Sequence, residues 1–333
     1  MPPSASDGNN KPERTVFSTW SRIRERAPIL IGFLGLIIVL TILSPYFLTV
    51  SNWLTLITQT SMMAIVALGE SLVILTGGID LSSGPVVGLV GMLSAGLLVR
   101  NHLPVLLVLV IGLLIGAIVG LVNGLSVTRL RMAPFIVTLA TGAMASGLTL
   151  TYSQGGTIAP LPSGFAYFGG GQIGPIPVPV LIMFGVFGLF AFVMSRTVWG
   201  RSVYVSGGNP QAAYLSGIPV QKVRLEVYIW AGILYAAAGI IEAGLLDAAT
   251  ASAGTTLVLT PIAAVVIGGV SLVGGIGSLW GTLLGALTLG VLTNGLDLLN
   301  VSPYYSQVIY GLVVFLAVLL DAVNRKGKAQ SPV

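Results

Sequence analysis

Long apolar runs, separated by short clusters of glycine, proline and charge, set the pattern of this 333-residue chain. A helix that crosses a bilayer needs about 20 predominantly apolar residues. On that rule the runs at 28–48, 53–76, 84–99, 103–127, 134–152, 178–194, 227–246, 257–269, 279–299 and 305–323 are candidate spans. The pattern predicts an all-α, polytopic membrane protein of about ten transmembrane segments. Those flanking Asp80 and Gly268 are short or interrupted by Gly-Gly pairs, so there the chain is expected to break or re-enter rather than cross cleanly.

Two stretches echo each other: "TGGIDL" at 76–81 and "IGGVSL" at 267–272. A second echo links the run ending in "VNGL", which carries Gly112, Gly116, Gly120 and Gly124, to the one ending in "TNGL", which carries Gly277, Gly281 and Gly285. Residues four apart share a helix face, so each set forms a smooth stripe where another backbone packs closely. Glycine stripes serve any helical bundle, but two echoes in the same order predict two weakly related halves, a construction common among membrane carriers.

Composition narrows the classes. Of all residues 55% are hydrophobic and 8% charged, too few charges to cover a water-facing surface. With no cysteine and one histidine, His102, disulfides and clustered metal ligands are excluded, and neither metal nor cofactor is expected. No G-x-x-x-x-G-K-[ST] sequence is present, so nucleotide is not cradled here in P-loop fashion. No paired acid and base suggests an enzyme.

The net charge of +5 invites a nucleic-acid reading until the charges are located. Lys11, Arg14, Arg22, Arg24 and Arg26 precede the first span, and Arg129 and Arg131 follow the fourth. Arg196, Arg201, Lys222 and Arg224 lie between the sixth and seventh, and Arg325, Lys326 and Lys328 close the chain. With both termini cytoplasmic, all of these fall inside and only Arg100 outside, which is the positive-inside bias rather than a nucleic-acid surface. The polar start leads into a full-length span without a small-residue cleavage site, the pattern of an uncleaved signal anchor. The expected division is a cytoplasmic segment 1–27, a membrane domain 28–323 and a cytoplasmic tail 324–333.

Ionisable and amide groups at membrane depth mark structural breaks or a permeation path. An ionised carboxylate there costs about 3 kcal/mol or more without partners. Gly77 and Gly78 interrupt a helix, and Asp80 then either caps the next one through the N–H groups of Ser82 and Ser83 or faces a polar path. Glu70, in mid-span, needs a polar partner such as Gln59 or a threonine. Asn123 and Asn294 follow the glycine stripes and suit amide bridges between helices. Glu242, Asp247 and Asp297 lie nearer span ends, where water is expected.

Two hydrophilic stretches remain. Residues 153–177, uncharged and rich in Gly and Pro, form an external cap in which Phe165, Tyr167 and Phe168 offer apolar contact. Residues 195–226 form the longest internal loop, and in it Asn209-Pro210 starts a short helix that Gly217 stops. Such a helix is either a connector or a docking element for a soluble partner.

The motifs "ALGESLVILTGGIDLSSG", "APFIVTLATG", "VSGGNPQAAYLSGI" and "IAAVVIGGVSLVGGIGSLWGTLLGALTLGVLTNGLDLLN" resemble the membrane permease subunit of ribose-type sugar importers driven by ATP-binding-cassette ATPases. The resemblance runs from about Trp53 to Asp321. It implies a permease domain over 28–323 with a coupling loop at 195–226, a bacterial inner-membrane location, and a path for a monosaccharide or polyol. It also implies three partners: a tandem-domain ATPase, an extracytoplasmic sugar-binding protein, and a second permease subunit that is a copy or a paralogue. Membrane lipid surrounds them and nucleic acid has no part. The coupling residues on this reading are Gly208, Asn209, Pro210, Gln211, Ala212, Ala213, Gly217 and Ile218. Those of the path or its structural break are Glu70, Gly77, Gly78, Asp80, Ser82, Asn123 and Asn294. Ser146-Gly147 stands where many relatives carry Arg-Gly, and Gln211 and Tyr214 replace a glutamate and a basic residue, so docking rests on shape and apolar contact rather than on charge. Nucleoside or branched-chain amino-acid permeases are the rival within transport, and an autonomous channel or ion-driven carrier the rival outside it.

Overall fold

The computed structural model describes residues 17–302, 304–313, 315, 316 and 319, with backbone alone for 17–28. The tail 324–333, with Arg325, Lys326 and Lys328, lies outside the described residues, as do residues 1–16, with Lys11 and Arg14. Twelve labelled helices carry the fold. They are α1 (Phe17–Leu43), α2 (Val50–Leu75), α3 (Ser83–Val99), α4 (Val105–Thr128), α5 (Pro134–Ser153), α6 (Ser163–Gly170), α7 (Val178–Arg196), α8 (Val198–Gly208), α9 (Pro210–Leu215), α10 (Val220–Leu246), α11 (Thr260–Ile267) and α12 (Leu279–Leu298). A final helical segment begins at 304. Two-residue strands β1 (Gln172–Ile173) and β2 (Ile176–Pro177) pair antiparallel between α6 and α7.

Among the described residues six helices, α2, α4, α5, α7, α10 and α12, are long and apolar enough to cross a bilayer. The Ile29–Leu43 part of α1 and α3 are apolar but shorter. Helix α11 has eight residues, about 12 Å at 1.5 Å per residue, so it does not reach across on its own. Pro261 opens it, and Gly268 and Gly269 close it, the latter at φ 81°. The candidate at 257–269, expected to break or re-enter rather than cross cleanly, is this half-length helix preceded by a 3₁₀ turn at Thr255–Leu257.

The core is built around α10, which packs on α4, α2, α3 and α6. Gly112, Gly116, Gly120 and Gly124 form the α4 face that receives it: a Cβ on Gly116 would fall on the Gly232 carbonyl, and one on Gly120 on the Tyr228 carbonyl. The opposite flank of α4 exposes Leu106, Leu114 and Ile118, as a lipid-facing surface requires. On the other side of α2, α12 packs against α2 and α11, and α1 against α12. Of the second glycine set, Gly281 and Gly285 meet Gly268 and Ala264 of α11, whereas Gly277 precedes α12 in a loop, at φ 151°. The predicted stripe is shorter by that residue because the chain is not yet helical there.

Two helices begin earlier than hydropathy indicates. Helix α1 starts at Phe17 rather than at 28, and α10 starts at Val220 rather than at 227, carrying Lys222 and Arg224 on its first turns. Hydropathy marks where lipid begins, not where helical hydrogen bonding does. The segment 153–177, expected as a cap, is ordered: Phe165 is buried, Gly169 sits against the backbone of α10 near Gly244, and Ile158 pairs with Ala249.

Candidate functional site

Helix α2 ends at Leu75, and Gly77, at φ 82°, turns the chain away from the helical path. Six residues later α3 begins, with Ser82 at its N-cap. The interruption lies within the bundle. A Cβ on Gly78 would meet the Tyr228 hydroxyl at 2.7 Å, and Tyr228 is eight residues into α10, about 12 Å from its start.

A buried relay of hydrogen bonds holds this break. The Ser82 N–H and hydroxyl both donate to Asp80 Oδ1, at 2.8 and 2.6 Å. Asn123 Nδ2 of α4 donates to Ser82 Oγ at 2.9 Å, and the Thr141 hydroxyl of α5 donates to Asn123 Oδ1 at 2.7 Å. Asp80, Ser82 and Asn123 are each 1% exposed, so every bond replaces one that water would otherwise supply. The expected acceptance from the Ser83 N–H is corrected: the Ser83 hydroxyl instead donates to the Leu257 carbonyl at 2.9 Å, tying α3 to the turn before α11.

Glu70, fully buried, receives the Tyr235 hydroxyl of α10 at 3.3 Å. The partners suggested by sequence, Gln59 and the threonines, are not the ones found. Gln59 lies three turns along α2 toward the other end, where it lines a cleft with Thr55, Thr58 and Gln172. Glu242 is also corrected: its Oε1 faces the Gly254 N–H at 3.4 Å and its Oε2 is buried, where water was expected. Asp247 and Asp297 are exposed, and Asp247 accepts the Leu161 N–H of the cap at 3.0 Å. Asn294 exchanges amide hydrogen bonds with Asn52 at 2.8 and 2.9 Å, tying α12 to α2.

The internal loop contains two helices where the sequence suggested one. Thr197 caps α8 by accepting the Gly200 N–H at 3.1 Å, and Asn209 caps α9 by accepting the Ala212 N–H at 2.9 Å. Pro210 occupies the first turn of α9, and Gly217, at φ 79°, ends it, with the Ile218 N–H returning to the Ala213 carbonyl. Ala213 is buried; Gly208, Gln211 and Ala212 are exposed and Ile218 half-buried.

These parts meet at one point. The Gly275 N–H donates to the Leu75 carbonyl at 2.9 Å, joining the loop after α11 to the end of α2. The last turn of α8 lies across both: a Cβ on Gly207 would fall on the Leu75 carbonyl and 2.8 Å from the Gly275 nitrogen. Gly274 in turn faces Gly77, whose own Cβ would meet the Val273 carbonyl at 3.4 Å. The end of α2 with its following Gly77, the loop at 273–275 after α11, and the chain entering α9 are therefore in backbone contact.

Sequence reading missed Tyr228, Tyr235, Asn52, Thr141 and Gly207. The tyrosines did carry a signal, since seven residues is two helical turns and places both hydroxyls on one face of α10. Gly207 carried none, because a close crossing between segments distant in sequence leaves no local pattern.

Arg129, Arg131, Lys222 and Arg224 gather at one end of the bundle, where α4 finishes beside the start of α10. Arg100 is at the other, its guanidinium donating to the Tyr152 carbonyl at 3.2 Å.

Residues 52–318 match the family described as branched-chain amino acid transport system / permease component. The chain belongs to this permease family. Among its relatives, the permease is 46% identical over 293 residues to the ribose import permease protein RbsC of Bacillus subtilis (strain 168), covering 87% of this chain and 91% of that one. It is 36% identical over 285 residues to the D-allose transport system permease protein AlsC of Escherichia coli (strain K12), covering 85% and 87%. It is 34% identical over 326 residues to the galactose/methyl galactoside import permease protein MglC of Salmonella typhimurium, covering 92% and 96%. No solved structure matches the permease. It is a polytopic membrane protein of a family of transport components.

Proposed function

We propose that this chain is the membrane subunit of an ATP-binding-cassette importer for a monosaccharide or related polyol. The observation that carries the reading is the junction of Gly207, Leu75 and Gly275, where the chain leading into exposed α9 touches both interrupted segments. A partner that moves α9 thereby moves both breaks, with no nucleotide site needed in this chain. That partner is a tandem-domain ATPase docked on residues 208–218. The basic end faces the cytoplasm of a bacterial inner membrane, with both termini there, by the positive-inside rule.

The sugar assignment draws on the relatives and on an outer cleft of about 410 Å³ lined by Thr55, Thr58, Gln59, Gln172, Gly169 and Gly170 between α2 and the cap. Its polar groups are uncharged hydrogen-bonding ones, suited to a neutral hydroxylated solute and poor partners for the charged ends of an amino acid. An extracytoplasmic binding protein delivers the solute to that side, and a second permease subunit, a copy or a paralogue, completes the path. The echo of "TGGIDL" in "IGGVSL", each beside an interrupted helix, supports two related halves.

Proteoliposomes containing the chain, its ATPase and its binding protein test this through uptake of labelled ribose, allose and leucine. ATP-dependent uptake of a sugar, absent when any subunit is omitted, is expected. Flux through the chain alone, or uptake of leucine only, contradicts the reading.

A further inference from the structure

A groove of about 910 Å³ opens at the basic end, between the α4–α5 turn, α9 and the first turns of α10. Its walls carry Arg129, Arg131, Lys222 and Arg224, and no acidic residue. Among the described residues the one ion pair is Lys222 with Glu226, at 3.9 Å, and Glu226 also accepts the Trp199 indole N–H at 2.8 Å. The Arg224 Nε is buried without a hydrogen-bond partner among the described residues. Three guanidinium groups and an ammonium around one cavity repel one another unless an anion sits between them, and guanidinium geometry favours phosphate.

The surroundings identify the kind of anion. Leu130, 69% exposed, stands between Arg129 and Arg131, and Met132, Phe135 and Ile136 are exposed just beyond them. On α4, Ile118, Leu121 and Val122 are exposed as well, at spacings that place them on one helix face. A soluble acidic partner has no use for an apolar strip that continues down a membrane-spanning helix, whereas an acyl chain does. Helix α9 gives Pro210, Gln211 and Tyr214 to the groove and leaves exposed Leu215 outside it, free for another contact.

We propose that this groove binds the phosphate headgroup of an anionic phospholipid, with its acyl chains along the exposed apolar flank of α4 and α5. The site does not depend on which solute is carried, and it shares Pro210, Gln211 and Tyr214 with the stretch proposed above to dock the ATPase.

Native mass spectrometry of the purified full-length chain, titrated with cardiolipin, phosphatidylglycerol, phosphatidylcholine or inorganic phosphate, tests it. Either anionic lipid is expected to bind in preference to phosphatidylcholine, and phosphate alone not to compete at equal concentration. Arg129→Gln and Arg131→Gln, both at exposed positions outside the core, are each expected to weaken anionic-lipid binding roughly fivefold, at about 1 kcal/mol per cation. Arg129→Lys retains most of the binding. Arg196→Gln and Arg201→Gln, exposed but not lining the groove, leave it unchanged. Equal losses in these control variants, or no preference for anionic lipid, overturn the proposal. So does displacement by phosphate, which marks a free-anion site. Unchanged lipid binding in Arg129→Gln and Arg131→Gln, with loss of an ATPase from the assembled complex, overturns it in favour of a protein contact.

Discussion

The two interrupted segments meet, yet they are specified by different means. The first, between α2 and α3, is held by side chains: Asp80, Ser82, Asn123 and Thr141 form a dry relay across three elements. The second, between α11 and α12, is held by backbone: Gly269, Gly274, Gly275 and Gly277 all take positive φ, and the Ser271 N–H closes on the Ile276 carbonyl at 2.9 Å. Its large side chains, Val273 and Ile276, are 63% and 67% exposed. A membrane interior penalises an unpaired polar group, so a break there needs either polar side chains to satisfy it or a glycine loop that satisfies itself. The chain uses one device in each place, and where the two touch only glycine fits.

Substitutions that add or remove one group separate the two devices. The largest effect is expected at the contact point. Gly207→Val places atoms on the Leu75 carbonyl, which as backbone does not yield, and is expected to destabilise the chain by about 3 kcal/mol. Gly208→Ala, whose Cβ would lie 3.7 Å from the Gly275 Cα, is expected to leave the thermal midpoint in detergent nearly unchanged. Equal midpoints for the two variants contradict the crossing.

The polar break comes next. Asp80→Ala strands the Ser82 hydroxyl and N–H in a dry site, at a cost of about 2 kcal/mol. Asp80→Asn, which keeps an acceptor oxygen, is expected to lose less than half as much in the same melting assay. If both lose the same, the carboxylate is held by its charge and not by the relay.

Between α2 and α12, Asn294→Ala breaks the paired amides with Asn52, and about 1 kcal/mol is expected, near the usual size for such bonds within membranes. Adding Asn52→Ala is expected to cost little more, and a double-mutant cycle measures that coupling. The smallest effect belongs to the glycine loop's side chains: Val273→Ser and Ile276→Ser are each expected to change stability by less than about 0.5 kcal/mol. A large loss at either position means that these side chains are buried in the assembled transporter.

Legibility in the sequence followed the same division. Local signals read well: paired glycines marked both breaks, Asn209-Pro210 and Gly217 bounded α9, and apolar length located the six long helices. Signals that depend on neighbours distant in sequence did not. Glu70 found Tyr235 rather than Gln59, because which residue faces which is decided by packing of α2 on α10. Helix α8 was hidden in a loop of low hydropathy, and its crossing at Gly207 is set by three segments that meet only when folded. At 257–269 the paired glycines signalled a short or re-entrant segment, and the helix there has eight residues, with Pro261 in its first turn and Gly268 at its end.

The central claim is that α9 and the two breaks move as one piece. The chain has no cysteine, so pairs of spin labels can be placed at will on exposed positions. Labels at Leu215→Cys and Val273→Cys join α9 to the second break, and labels at Val273→Cys and Ile173→Cys join that break to the β1–β2 hairpin. Distances measured in the assembled transporter, with and without ATP, are predicted to stay fixed for the first pair and to change for the second. A change between Leu215 and Val273 while the distance from Val273 to Ile173 holds constant contradicts the account.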